Sequence, residues 1–216
     1  MLKLKNISFA FRSKPIFENI NMNFQDGKIY GIVGANGVGK TTFFRSVAGF
    51  YQLNHGAIYL NEKRIRPSEV SLLPTSPFFY PYMKGIEYLK ITHNEEGQLS
   101  RSIELSDSLN IPLENLVDTY STGMKKKLAF IARYAQNKPV SIYDEPFNGV
   151  DLESNEVLLQ LLKKNKSKQI TLISSHILSS LFELCDEIVH IESGFSFSNF
   201  QKDQFQDLQN KIRSNI

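Results

Sequence analysis

Gly34-Ala35-Asn36-Gly37-Val38-Gly39-Lys40-Thr41 decides how the rest of this chain is read. The run fits G-x-x-x-x-G-K-S/T, a loop whose residue types follow from what it must hold. Glycines let the backbone wrap closely around phosphate oxygens and turn several N–H groups inward. The loop opens a helix, expected from Lys40 to about Ala48, and a helix N-terminus favours anions. Lys40 supplies a point charge for β- and γ-phosphates, and the Thr41 hydroxyl can coordinate Mg²⁺. Gly34, Ala35, Asn36, Gly37, Val38, Gly39, Lys40, Thr41 and Thr42 are therefore the candidate ATP-binding residues. The loop alone suits a kinase, a small GTPase or a motor equally well.

On its N-terminal side, Leu2, Leu4, Ile7 and Phe9 alternate as a strand does, and Ile16–Phe24 reads as a second strand. Lys28–Val33 is a short buried strand leading into the loop. Ala57–Leu60 and Lys63–Ile65 look like a hairpin around Asn61-Glu62, and Val70–Leu73 is a strand stopped by Pro74. Pro77 to Asn137 reads as several helices. Beyond it the chain alternates: strand Val140–Tyr143, helix Asp151–Lys164, strand Gln169–Ser174, helix Ile177–Leu184, strand Glu187–Ile191. Such alternation predicts an α/β fold with a mainly parallel sheet, here interrupted by a helical insertion. The polar tail, 201–216, carries Phe205, Leu208 and Ile212 at spacings that suit a short amphipathic helix or a frayed end.

Val140-Ser141-Ile142-Tyr143-Asp144-Glu145-Pro146 is an apolar strand ending in two acids, where an open parallel sheet binds its ligands. Asp144 can hold Mg²⁺, directly or through water. Glu145 can accept a proton from the water that attacks the γ-phosphate. His176 ends another apolar strand and shares the expected sheet edge, so it can hydrogen-bond the γ-phosphate and orient the base.

Tyr120-Ser121-Thr122-Gly123-Met124-Lys125-Lys126-Lys127-Leu128 stands between the loop and the acids. In that order the chain resembles the ATP-binding subunits of ABC transporters, over residues 1 to about 195. The resemblance implies a P-loop NTPase core with an N-terminal antiparallel β-subdomain and an inserted α-helical subdomain. Residues 1–75 and 138–200 would form the core, about 76–137 the helical part and 201–216 the tail. It also implies that Ser121, Thr122, Gly123 and Met124, the counterpart of Leu-Ser-Gly-Gly-Gln, cover the ATP held by a second subunit. The second site is physically sensible, because a serine and backbone N–H groups at a helix start form an anion site. Asp151, in Asn148-Gly149-Val150-Asp151, resembles the loop that links the two sites. Phe11 resembles the aromatic that stacks on adenine, with Phe9, Phe17 or a purely packing role for Phe11 as the other readings.

The chain departs from the family after Leu73. Thr75 occupies the position of a glutamine that binds Mg²⁺, and its shorter hydroxyl is expected to reach a metal only through water or after backbone movement. Met124 replaces the final glutamine of the signature and Thr122 its first glycine. Phe78-Phe79-Tyr80-Pro81-Tyr82-Met83 is either a docking surface for a partner helix or packing within the helical region.

Composition limits the partners. The 216 residues are 41% hydrophobic, enough for a packed core, and the net charge of +3 is too mild to make nucleic acid the main partner. Lys125–Lys127 and Lys163, Lys164, Lys166 and Lys168 read as solvated helix faces. The single cysteine, Cys185, cannot form an internal disulfide and fits a reducing cytosol. The first residues lack the apolar core of a signal peptide, and no apolar run approaches the ~18 residues that span a bilayer. The expected protein is a Mg²⁺-dependent ATPase, a homodimer or paired ABC subunit. It would sit on the cytoplasmic face of a membrane through an integral membrane permease, which it drives by ATP-dependent dimerisation. A soluble ABC-type ATPase unlinked to transport and a poorly hydrolysing regulatory subunit are the alternatives.

Overall fold

The computed structural model describes residues 1–192 and 196–214; residues 215 and 216 of the expected tail lie outside the described residues. Strand β1 (Leu2–Phe11) pairs antiparallel with β2 (Lys14–Phe24) and with β4 (His55–Leu60), and β5 (Lys63–Arg64) extends β4. This four-stranded sheet has the order β2-β1-β4-β5. A second, six-stranded sheet contains β3 (Ile29–Gly34), β6 (Val70–Leu73), β7 (Val140–Asp144), β8 (Ile170–Ser174), β9 (Glu187–Glu192) and β10 (Ser196–Gln201). Its order is β10-β9-β3-β8-β7-β6, parallel except for β10, which runs antiparallel to β9.

The central strands are apolar throughout because both faces are covered. In β7, Val140 and Ile142 face one core and Tyr143 the other; in β3, Tyr30 and Ile32 oppose Ile29 and Val33. The first core lies between the two sheets and takes in Phe43 and Phe44 of helix α1 (Lys40–Val47). The second holds the remaining helices: α2 (Gly85–Thr92), α3 (Glu96–Ser108), α4 (Thr122–Ala135), α5 (Leu152–Asn165), α6 (Leu178–Leu184) and α7 (Phe205–Ser214). Between β6 and β7 stand three helices, α2 to α4, which form the α-helical insertion of the α/β fold.

One sequence expectation changes. The run Lys125–Lys127 is not a solvated face: Lys126 is 4% exposed and Lys127 8%. They sit where α4 sinks into the core, and their ammonium groups reach backbone oxygens instead of water. Lys163, by contrast, is exposed and pairs with Glu183 at 2.6 Å, and Lys164 is exposed as expected. Strand β10 carries no alternation in the sequence, because Phe197 and Phe200, three apart, pack against opposite cores. The tail does form a helix, with Phe205 and Leu208 buried and the Phe205 ring stacked 5.1 Å from that of Phe182.

Candidate functional site

Strands β3, β7 and β8 are parallel neighbours, so their C-terminal ends bring the loop, the acids and the histidine to one edge. A cavity of about 1040 Å³ opens there, lined by Gly34 to Val38, Ser175 and His176, with Lys14, Pro15 and Ile16 on one flank and His190, Glu192 and Ile212 on the other. Glycine is required at two points of the loop. A Cβ at Gly34 would stand 2.4 Å from the Ile191 carbonyl oxygen. Gly39, which opens α1, has φ of 113° and would press a Cβ into Ile16. Lys40 is nearly buried, and its ammonium donates to the carbonyls of Gly34 at 2.7 Å and Ala35 at 3.1 Å. Burial lowers its pKa, and the carboxylates of Glu145 and Asp144 pull it back up.

Asp144 collects hydroxyls. Thr41 Oγ1 and Thr75 Oγ1 each donate to its Oδ2 at 2.7 Å, and Ser174 Oγ donates to Oδ1 at 2.7 Å. Thr75 thus joins the Asp144 cluster directly. Ser174 is a site residue the sequence reading passed over; a small polar residue at the end of a buried strand beside Ser175-His176 was the available signal. Among the described residues no group of three or more His, Cys, Asp or Glu could hold a metal ion. One carboxylate with two neighbouring hydroxyls, opening on a phosphate loop, nevertheless suits Mg²⁺, which keeps waters and takes substrate phosphates as ligands.

Glu145 has φ of 55°, a left-handed conformation that costs a side-chain-bearing residue roughly 1–2 kcal/mol. Its N–H donates to Ser174 Oγ at 3.0 Å, and its Oε2 accepts from the His176 N–H at 3.1 Å. Its Oε1 is buried without a hydrogen bond and lies 3.3 Å from His176 Nε2. Burial raises the pKa of this carboxyl; the His176 ring and backbone N–H oppose the shift. The imidazole itself is about half exposed, at the mouth of the cavity.

The signature run lies elsewhere on the surface. Ser121 caps α4, its Oγ accepting from the Met124 N–H at 3.2 Å; Ser121 and Thr122 are exposed, Gly123 and Met124 half-buried. Gly123 packs against the 148–151 loop so closely that a Cβ would meet the Gly149 carbonyl oxygen at 2.7 Å. Asp151 caps α5 by accepting from Ser154 N–H and Oγ, both at 2.8 Å, and lies 3.5 Å from Lys127 Nζ. Of the three candidate stacking rings, Phe9 and Phe17 are buried, whereas Phe11 is 45% exposed, edge-on to Phe9 and Tyr51. In the aromatic run, Phe78, Tyr80 and Tyr82 are exposed, while Phe79 packs on Tyr88 at 4.6 Å.

A sequence profile described as ABC transporter matches residues 17–148, more than half of the chain. The chain belongs to the ABC transporter family. Relatives share that character along nearly the whole chain. The lantibiotic transport ATP-binding protein SrtF of Streptococcus pyogenes is 28% identical over 100% of this chain and 97% of its own length. The ABC-type transporter ATP-binding protein EcsA of Bacillus subtilis is 26% identical, covering 90% and 84%. A solved ATP binding subunit of an ABC transporter superposes with a TM-score of 0.87 at 24% identity, covering 98% of this chain and 93% of that one. A bacterial Atm1-family ABC exporter with ATP bound contains the same fold, with a TM-score of 0.83 at 18% identity over 97% of this chain and 40% of that longer chain. This is the ATP-binding domain of an ABC protein, and ATP binding and hydrolysis are the general activity of that domain. Among the described residues, no helix is long and apolar enough to cross a membrane.

Proposed function

We propose that this chain binds and hydrolyses ATP as a subunit that drives a separate membrane permease, closing on a second ABC subunit when ATP is bound. The observation that carries the reading is the convergence on Asp144 and Glu145. The phosphate-loop Thr41, the Thr75 hydroxyl, Ser174 and His176 all contact these two adjacent acids. In this reading Gly34 to Thr42 cradle the triphosphate. Lys40 leaves its loop carbonyls for the β- and γ-phosphate oxygens.

Mg²⁺ held by Thr41, Asp144 and Thr75 would supply neutralisation of the phosphate charge. A water adds its oxygen to the γ-phosphorus and passes a proton to the Glu145 carboxylate. The bond to the bridging oxygen breaks, leaving ADP and inorganic phosphate. The Oε1 of Glu145, which makes no hydrogen bond and lies 3.3 Å from His176 Nε2, is the acceptor for that proton. His176 orients the carboxylate through its N–H and can hydrogen-bond the γ-phosphate through its exposed ring.

The exposed start of α4 supports a two-chain arrangement, in which Ser121 to Met124 of one subunit close over the ATP of the other and Asp151 links the sites. The exposed Phe11 ring is suited to stack on adenine. The exposed rings of Phe78, Tyr80 and Tyr82 favour the docking reading of that loop, with an integral membrane permease as the partner and the cytoplasmic face of the membrane as the place of work. The names of SrtF and EcsA support a role in transport.

Two measurements test the reading. Glu145→Gln is expected to lower phosphate release by about 100- to 10,000-fold while retaining ATP and accumulating a dimer in size-exclusion chromatography. A variant that stays monomeric with ATP bound would count against the two-chain site. Co-purification of the native chain with a multi-span membrane protein tests the coupling to transport.

A further inference from the structure

Lys126 has no part in the reading above, yet it is 4% exposed; burial lowers the pKa of its amine, and the carboxylates of Asp144 and Glu145 pull it back up. An ammonium taken out of water needs partners, and here both are main-chain oxygens. Lys126 Nζ donates to the carbonyl of Thr75, just beyond β6, and to that of Glu145, just beyond β7, at 3.1 Å. A side chain near the start of α4 therefore spans the ends of two neighbouring parallel strands.

What it holds there is strained. Glu145 keeps a left-handed backbone, which persists only where its surroundings over-determine it. Ser174 holds the Glu145 N–H, the His176 N–H holds the carboxylate, and Lys126 holds the carbonyl, with Asn148 N–H a longer donor to the same oxygen at 3.4 Å. Of the donors to Glu145, Lys126 is the charged one, and hydrogen bonds from charged donors are the stronger kind. It also stands five residues beyond Ser121, on the same helix.

We propose that Lys126 is a positioning residue for hydrolysis: by fixing the Thr75 and Glu145 carbonyls it sets the aim of the Glu145 carboxylate and ties that aim to the helix that starts at the signature. The proposal rests on Glu145 acting as the base. It gives the signature a route to the catalytic strand within one chain, since a shift of α4 would move the donor on which the Glu145 peptide depends.

Two substitutions in the full chain test it. Lys126→Met and Lys126→Gln both shorten the side chain by one bond; the methionine carries no donor, whereas the glutamine keeps an amide donor. Phosphate release at saturating ATP is expected to fall about tenfold in Lys126→Met and about threefold in Lys126→Gln, with the ATP Kd of both within about twofold of wild type. Loss of packing alone would lower affinity and turnover together and would not rank the variants by donor. Wild-type turnover in Lys126→Met, turnover in Lys126→Gln no higher than in Lys126→Met, or a parallel loss of ATP affinity would overturn the proposal. Should Lys126→Met not fold by circular dichroism, Lys126→Gln decides: reduced turnover at unchanged affinity supports the role, and wild-type turnover ends it. Glu145→Gln in the same assay separates the two ideas. Undiminished hydrolysis there removes the base itself, whereas an inactive Glu145→Gln beside an unimpaired Lys126→Met removes only Lys126.

Discussion

The phosphate loop and the signature run both stand at helix starts, but only the first is surrounded by partners from the chain itself. Around Lys40 the polar groups have partners from four strand ends: loop carbonyls, Asp144, Thr75 and Ser174. Among the described residues, the bond made by the Ser121 side chain is the cap of its own helix, and Ser121 and Thr122 face solvent. Burial makes the first site strong and preorganised, because charges and dipoles act more strongly out of water. The second is a surface feature whose strength depends on what closes over it. Under the two-chain proposal, one cluster is organised within the polypeptide and the other waits for a second chain, and substitutions in the two should fail differently.

The largest separation is expected from Lys40→Ala. Removing a nearly buried ammonium from the loop should weaken ATP binding by about a hundredfold even in the isolated chain, as measured by titration calorimetry. Unchanged affinity would mean that the loop does not hold phosphate, and the contrast with the signature would disappear. Ser121→Ala should do the opposite. ATP affinity of the single chain stays within about twofold, while hydrolysis at concentrations that favour the dimer falls about tenfold. A loss of affinity in the isolated chain would place Ser121 in its own subunit's site and collapse the distinction.

The same contrast governs what the sequence revealed. The loop was legible because its chemistry is written in eight consecutive residues, and Asp144-Glu145 because an apolar strand ends on them. Family order, rather than spacing, pointed to Ser121. Lys126 was misread because its surroundings are made by Thr75 and Glu145, 51 and 19 residues away, and three lysines in a row look alike until the helix is docked. Ser174 was missed for a related reason: within Ile170–Ser174 it reads as the last residue of a buried strand, and only the register of β7 against β8 sets it beside Asp144. Helices and parallel strands follow from local pattern, whereas the partner of a polar side chain follows from register and packing.

The finest test lies at Asp151, beside the signature helix. Its carboxylate is held by the N–H and hydroxyl of Ser154, and these bonds, with Lys127 adding to them, lower its pKa from the ordinary 3.8 to about 2. The sign is that of a depressed acid: the contribution to stability is present above pH 3.8 and is lost as pH falls through about 2. Asp151→Ala should lower the melting temperature by about 2–4 °C at pH 7, the usual scale for a lost helix cap in a chain of this size. The gap between the two proteins should then narrow in melts between pH 4 and pH 2. A gap that stayed constant over that range would mean the ionised carboxylate is not what holds α5. Asp151 would then be free to respond to a second subunit rather than already engaged in its own chain.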